Sequence, residues 1–181
     1  MTSWEEGWRK QRTIHIFSDI DQNTSGQTLQ QIVGLAAHSD DPITIQINTN
    51  GGQIHHAFAI TQVMAACHVP VHTLALGRVY SAGLIILVTG KKRMALPGTM
   101  FMAHDFSVET PPTPYGYVVN ARKYEDWIFR RMLDHFSHHT KASKKTIQDL
   151  LLSKDYYFDE DEALRMGMID EVIKTIKIMR E

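Results

Sequence analysis

Cysteine, net charge and long apolar runs are all scarce in this chain, and each shortage closes off a class of protein. The single cysteine, Cys67, has no intrachain disulfide partner, so no disulfide framework holds the fold. Nothing in the sequence gives it the basic, partly exposed setting of a reactive thiolate, and a small residue on an apolar helix face is the better reading. Nineteen Lys and Arg against twenty Asp and Glu leave a formal net charge of −1, so no long-range field draws nucleic acid or an anionic membrane. The basic triplet Lys91-Lys92-Arg93 reads as a solvated turn. The N-terminal stretch through Trp4 and Trp8 lacks the apolar core of a signal peptide, and no apolar run reaches the roughly 18 residues of a membrane span. These absences predict a cytoplasmic protein without nucleic-acid or membrane partners. Repeats, linkers and low-complexity tracts are missing as well. A chain of 181 residues suits one domain, 1–181, able to bury a core unaided.

What is present is a recurring strand-turn-helix pattern. Thr13 to Phe17 reads as a strand, Asp19 to Gly26 as turn-rich, and Gln27 to His38 carries Leu29, Ile32, Val33 and Ala36 at helical spacing. Ile43 to Asn48 alternates as a half-buried strand. After Gly51-Gly52 a helix places Ile54, Ala57, Phe58, Ile60, Thr61, Met64 and Ala65 on one face. The apolar stretch Val71 to Leu76 precedes the helix-like stretch Leu84 to Val88. Three such units in succession predict an α/β fold with a mainly parallel sheet covered by helices. Lys92 to Leu96 and Met100 to His104 read as strands. Glu109 to Gly116, with its three prolines, reads as a loop. A long helix is expected from Tyr117 to about His139, then one capped by Ser143 and running to Leu152. Asp159, Glu162 and Gly167 mark a short helix, and Ile169 to Ile173 a closing strand.

The chemistry concentrates at Ser81, in Gly77-Arg78-Val79-Tyr80-Ser81-Ala82-Gly83, between a strand and a helix. A serine becomes a nucleophile when a base is in reach and N–H groups face the oxyanion that its attack creates. His104, ending a strand, and Asp155, in Ser153-Lys154-Asp155-Tyr156-Tyr157-Phe158, complete a candidate Ser-His-Asp set. His135, His138 and His139 share a helix face at spacings that suit a metal, but no second ligand cluster accompanies them, which favours a polar face. His55-His56, after the Gly-Gly turn, read as exposed residues with substrate contact as the alternative.

These segments together resemble the ClpP family, the proteolytic subunit of the Clp protease, within the crotonase-like fold. Ile47-Asn48-Thr49-Asn50-Gly51-Gly52 is similar to the family's Ile-Asn-Ser-Pro-Gly-Gly loop, and Gly77 to Gly83 to its Gly-x-x-x-Ser-x-Gly segment. Leu96-Pro97 to His104 and Asp155 to Ala163 match its histidine and aspartate segments. The resemblance implies repeated strand-turn-helix units with a protruding helical handle, and a serine endopeptidase acting on peptides or unfolded proteins without metal or organic cofactor. Ser81 would be the nucleophile, His104 the base and then the acid, and Asp155 the group that fixes the imidazole tautomer. Gly51 and Ala82 would form the oxyanion hole, with Gly52 beside them in the substrate-binding loop.

The resemblance further implies self-association into rings, heptameric in the family, and an ATP-driven unfoldase as a possible partner. The family's aromatic docking positions correspond to Thr44, Gln46, Ala66 and Met94 here, which predicts weakened docking. The proline-rich segment replaces the family's Gly-rich strand, which predicts altered ring stacking. The competing readings are a catalytically idle ring subunit and another crotonase-fold acyl-transfer enzyme. An idle subunit would be expected to lack one of the three residues, and the acyl-transfer enzymes use acidic residues in place of a Ser-His pair.

Overall fold

Alternation of apolar and polar residues sets the centre of the molecule. In a computed structural model, which describes residues 11–105 and 115–175, Ile14 and Ile16 of β1 (Thr13–Ile16) and Ile43, Ile45 and Ile47 of β2 (Ile43–Thr49) point to one face and are fully buried. Between them Thr13, His15, Thr44 and Gln46 point to the other face and are half-buried. A period of two residues does this to any strand with one covered face. The helices α1 (Gln22–Ala36), α2 (Ile54–Ala66) and α3 (Ala82–Thr89) follow the strands and supply the cover.

The sheet runs β1-β2-β3-β4-β7 in parallel, with β3 (Val71–Tyr80) as its spine. The first half of β3 pairs with β4 (Arg93–Ala95) and the second half with β5 (Met100–Ala103). The two halves are separated by a bulge: Ile47 pairs with Ala75 but Thr49 with Val79. Gly77 absorbs the extra residues at φ +64°, a conformation that glycine adopts without a Cβ penalty. β6 (Tyr156–Phe158) pairs antiparallel with β5, and β7 (Glu171–Val172) closes the other edge on β4. Among its described side chains the long α4 (Tyr115–His139) fully buries Ile128, Met132 and Phe136. Tyr117, Val118, Tyr124 and Trp127 stay exposed, so its N-terminal half protrudes. α5 (Lys144–Leu151) and α6 (Glu160–Met166) complete the fold.

Several expectations change in detail. The turn-rich segment before Gln27 is already helix, because the Asp21 carboxylate accepts the Thr24 N–H at 2.8 Å and caps a helix starting at Gln22. The buried stripe of α1 is then Ser25, Thr28, Ile32 and Ala36, which leaves Val33 exposed. β6 had no strand signal of its own, since only Phe158 of its three residues is buried. Its other anchor is tertiary: the Phe158 ring stacks on Phe101 at 5.3 Å. The caps at Ser143 and Asp159 and the left-handed Gly167 lie where the sequence places them. Trp4, Trp8 and most of the proline-rich loop fall outside the described residues. Helices cover one face of the sheet, and the other stays half-open.

Candidate active site

Ser81 stands between the last residue of β3 and the first of α3, with φ 51° and ψ −121°. L-residues rarely adopt that conformation, and such strain of about 1–3 kcal/mol collects at functional turns. The turn is held by the Ser81 N–H donating to Met102 O at 2.8 Å and by the Leu84 N–H donating to Ser81 O at 3.0 Å. A serine before a helix is ordinarily a cap, but here the side chain makes no capping bond. Its Oγ lies 2.7 Å from His104 Nε2. Behind it, every residue of α3 from Ala82 to Val88 is buried. The N–H groups of Ala82 and Gly83, in the first turn, have no intrahelical acceptor.

The Gly51-Gly52 loop closes on Ser81 from β2. A Cβ on Gly51 would meet Ser81 Cβ at 2.7 Å and Tyr80 O at 2.9 Å, so only glycine allows this approach. Thr49 organises the loop. Its hydroxyl donates to Ser18 O at 2.7 Å, and its Oγ1 accepts the Gly51 N–H at 3.0 Å. The Gly51 N–H is therefore satisfied inside the loop. Gly52 is bridged to Ile20, with Ile20 N–H donating to Gly51 O and Gln53 N–H to Ile20 O. Thr49 had no chemical role in the sequence-based reading, although a hydroxyl two residues before a Gly-Gly turn is a known local acceptor.

Strand register brings the third candidate alongside. Ala103 pairs with Tyr156, so the next positions outward are His104 and Asp155, and the Asp105 N–H donates to Ser153 O at 2.9 Å. Asp155 is exposed at φ 47°, and among the described residues it makes no hydrogen bond or ion pair with His104. The structure thus brings Ser81 and His104 into contact and leaves Asp155 as a neighbour. Tyr80, Met102 and Tyr157 form the adjacent cross-strand row, with the rings of Tyr80 and Tyr157 5.8 Å apart.

His135 and His139 sit away from this contact. His135 Nε2 lies 3.0 Å from Ile85 O and 3.1 Å from Thr89 Oγ1, and burial lowers its pKa. Burial, with the nearby His135, His138 and Arg93, takes His139 down to about 4. Among the described residues no group of three His, Cys, Asp or Glu could hold a metal. Of the docking positions, Thr44 and Gln46 lie on the half-open face of the sheet, and Met94 pairs with Leu74.

With that geometry in view, comparison with known proteins gives a consistent result. The family model described as Clp protease matches residues 5–176. The chain is 30% identical over 170 residues to ATP-dependent Clp protease proteolytic subunit 3 of Rhizobium meliloti, covering 92% of this chain and 86% of that protein. It is 29% identical over 168 residues to the ATP-dependent Clp protease proteolytic subunit of Deinococcus radiodurans, covering 91% and 81%. A solved ClpP1 mutant from Listeria monocytogenes superposes with a TM-score of 0.84 at 26% identity, covering 95% of this chain and 96% of that one.

Proposed function

Since the chain belongs to the Clp protease family, we propose that it is a serine endopeptidase that cleaves peptides or unfolded chains by acyl transfer inside a homo-oligomeric ring. One observation carries the reading: a strained serine whose Oγ ignores the helix it precedes and meets a histidine nitrogen at 2.7 Å.

In the proposed reaction the Ser81 hydroxyl donates to His104 Nε2, and Oγ attacks the scissile carbonyl carbon as its proton passes to that nitrogen. Negative charge then develops on the carbonyl oxygen beside the free N–H groups of the α3 first turn. Ala82 supplies one donor. Gly52 supplies the other, because the Gly51 N–H is held by Thr49; Gly51 provides the close approach instead. The imidazolium returns its proton to the leaving amine, and water enters by the same route to release the acyl group. Asp155, opposite His104 in the continued register, is assigned to accept a hydrogen bond from Nδ1–H once its side chain turns inward.

The absent Asp155–His104 bond also supports a second reading, a catalytically idle ring subunit. Fluorophosphonate labelling with mass spectrometry of the modified peptide separates the two. We expect a single labelled residue, Ser81, and no labelling or peptide hydrolysis in Ser81→Ala. An unlabelled wild-type chain would select the idle subunit.

A further inference from the structure

A cleft of about 350 Å³ opens between α2 and the C-terminal half of α4, at the end of α3 away from Ser81. That volume lies within the range of small-molecule sites, about 300–1,000 Å³. We infer that this cleft binds a monocarboxylate carried on an apolar body, through the guanidinium of Arg131.

The Arg131 guanidinium carbon lies 4.4 Å from the centre of the Phe58 ring and 5.5 Å from that of Trp127. Stacking of this kind occupies the flat face of the guanidinium and leaves its edge of N–H donors open. Among the described residues Arg131 makes no hydrogen bond or ion pair. A charged donor fork without a partner, placed over an aromatic ring in a concave site, is ready for an acceptor. Three of the neighbouring polar groups, Thr61, Thr89 and His135, are already committed. The Thr61 hydroxyl donates to Phe58 O and the Thr89 hydroxyl to Ile85 O, both at 2.9 Å. Nε2 of His135 faces the Ile85 carbonyl. These three groups therefore do not compete for the ligand.

Charge and shape narrow the ligand class. Burial lowers the pKa of His135 and His139, and Arg131 is the one Lys or Arg among the residues that line the cleft, so it is the permanent positive charge there. One guanidinium matches one carboxylate, whose two oxygens meet two N–H groups side by side. A phosphate dianion would lack a second fixed cation. The exposed Gln62 amide offers a further donor, and Phe58 with Ala65 forms an apolar floor for the body of the ligand. Peptide products end in such a carboxylate, and naming them as the source rests on the peptidase reading; small organic acids carry the same chemistry.

Isothermal titration calorimetry on the full chain tests the site. The probes are N-acetylphenylalanine and a tripeptide acid ending in phenylalanine, each paired with its carboxamide. Saturable millimolar binding of an acid is expected, with its amide at least about tenfold weaker, because a charge-assisted pair is worth that much or more. Binding of the tripeptide alone identifies a peptide C-terminus, and binding of both acids admits small organic acids; either supports the site. Gln62→Glu, at an exposed position, places a carboxylate beside Arg131 and should abolish binding with an unchanged melting temperature. Arg131→Lys keeps a cation over Phe58 but removes the fork, and should weaken binding about tenfold. Equal affinity for acid and amide, no saturable heat with either acid, or acid binding that survives both substitutions overturns the inference. Calorimetry needs no turnover, so a chain that binds acids without hydrolysing peptides refutes the peptidase reading and leaves the cleft standing.

Discussion

Ser81 holds a backbone conformation that costs stability. At φ 51° and ψ −121° the serine is strained, and glycine at the same place would not be. Ser81→Gly is therefore expected to raise the unfolding free energy by about 1 kcal/mol while eliminating labelling. Urea denaturation against the parent chain checks this, and a loss of stability would mean that the turn is not strained. Asp155 presents a different question, because it stands beside His104 without bonding to it. If its carboxylate turns onto Nδ1 during turnover, Asp155→Asn should lower kcat by roughly 10²–10⁴-fold with little change in KM. Steady-state kinetics that leave kcat untouched would show that Ser81 and His104 act without it.

At the level of elements, α3 links the Ser81 turn to the cleft between α2 and α4. Its N-terminus supplies the free N–H groups beside Ser81, and its C-terminal turn is gripped by His135 of α4. Arg93 ties the end of α4 to the sheet, donating to the carbonyls of His139 and Gly167 and pairing with Asp170. Burial keeps the His135 and His139 rings uncharged in the folded state. His139 titrates at about 4 there and near 6.5 in the unfolded chain. Between those values the unfolded chain binds more protons, so this stability is complete above pH 6.5 and declines as pH falls through about 4. His15, also lowered to about 4 by burial, adds in the same direction. Urea midpoints should fall steadily across that window, and His139→Gln should make the decline shallower. A flat profile would show that neither ring is protonated on unfolding.

The whole molecule carries unusual exposure for a parallel sheet. Such sheets are ordinarily covered on both faces, yet one face here, with His15, Thr44 and Gln46, is only half-buried. Tyr117, Tyr124 and Trp127 project from the free half of α4. The exposed aromatic half of α4 suits contact with further copies of the chain, and native mass spectrometry is expected to find a homo-oligomer, heptameric by family resemblance. A monomer at micromolar concentration would contradict it. Docking of an ATP-driven unfoldase should be weak. Burying one aromatic side chain contributes on the order of 1.5–3 kcal/mol, and the positions that would supply such rings are Thr44, Gln46, Ala66 and Met94. ATP-dependent degradation of a folded substrate is the measurement, and strong stimulation would show that docking uses other contacts.

Much of this is legible in local chemistry alone. Period-two alternation marks β1 and β2, Ser143 and Asp159 announce their helices, and Gly51 is required where a backbone must approach another closely. Those signals are written in adjacent residues, as were the segments around Ser81, His104 and Asp155. The start of α1 was legible too, in Asp21 and Thr24, and a run of turn-forming residues obscured it. Only the tertiary structure decided which partners meet. The 2.7 Å contact between Ser81 and His104 depends on β3 pairing with β5 beyond the Gly77 bulge. The position of Asp155 depends on Phe158 stacking against Phe101. The satisfied Gly51 N–H follows from Thr49 lying under the loop. The Arg131 fork, unpartnered among the described residues, follows from α4 lying beside α2. Each is a contact between residues distant in sequence, set by packing that no local pattern encodes.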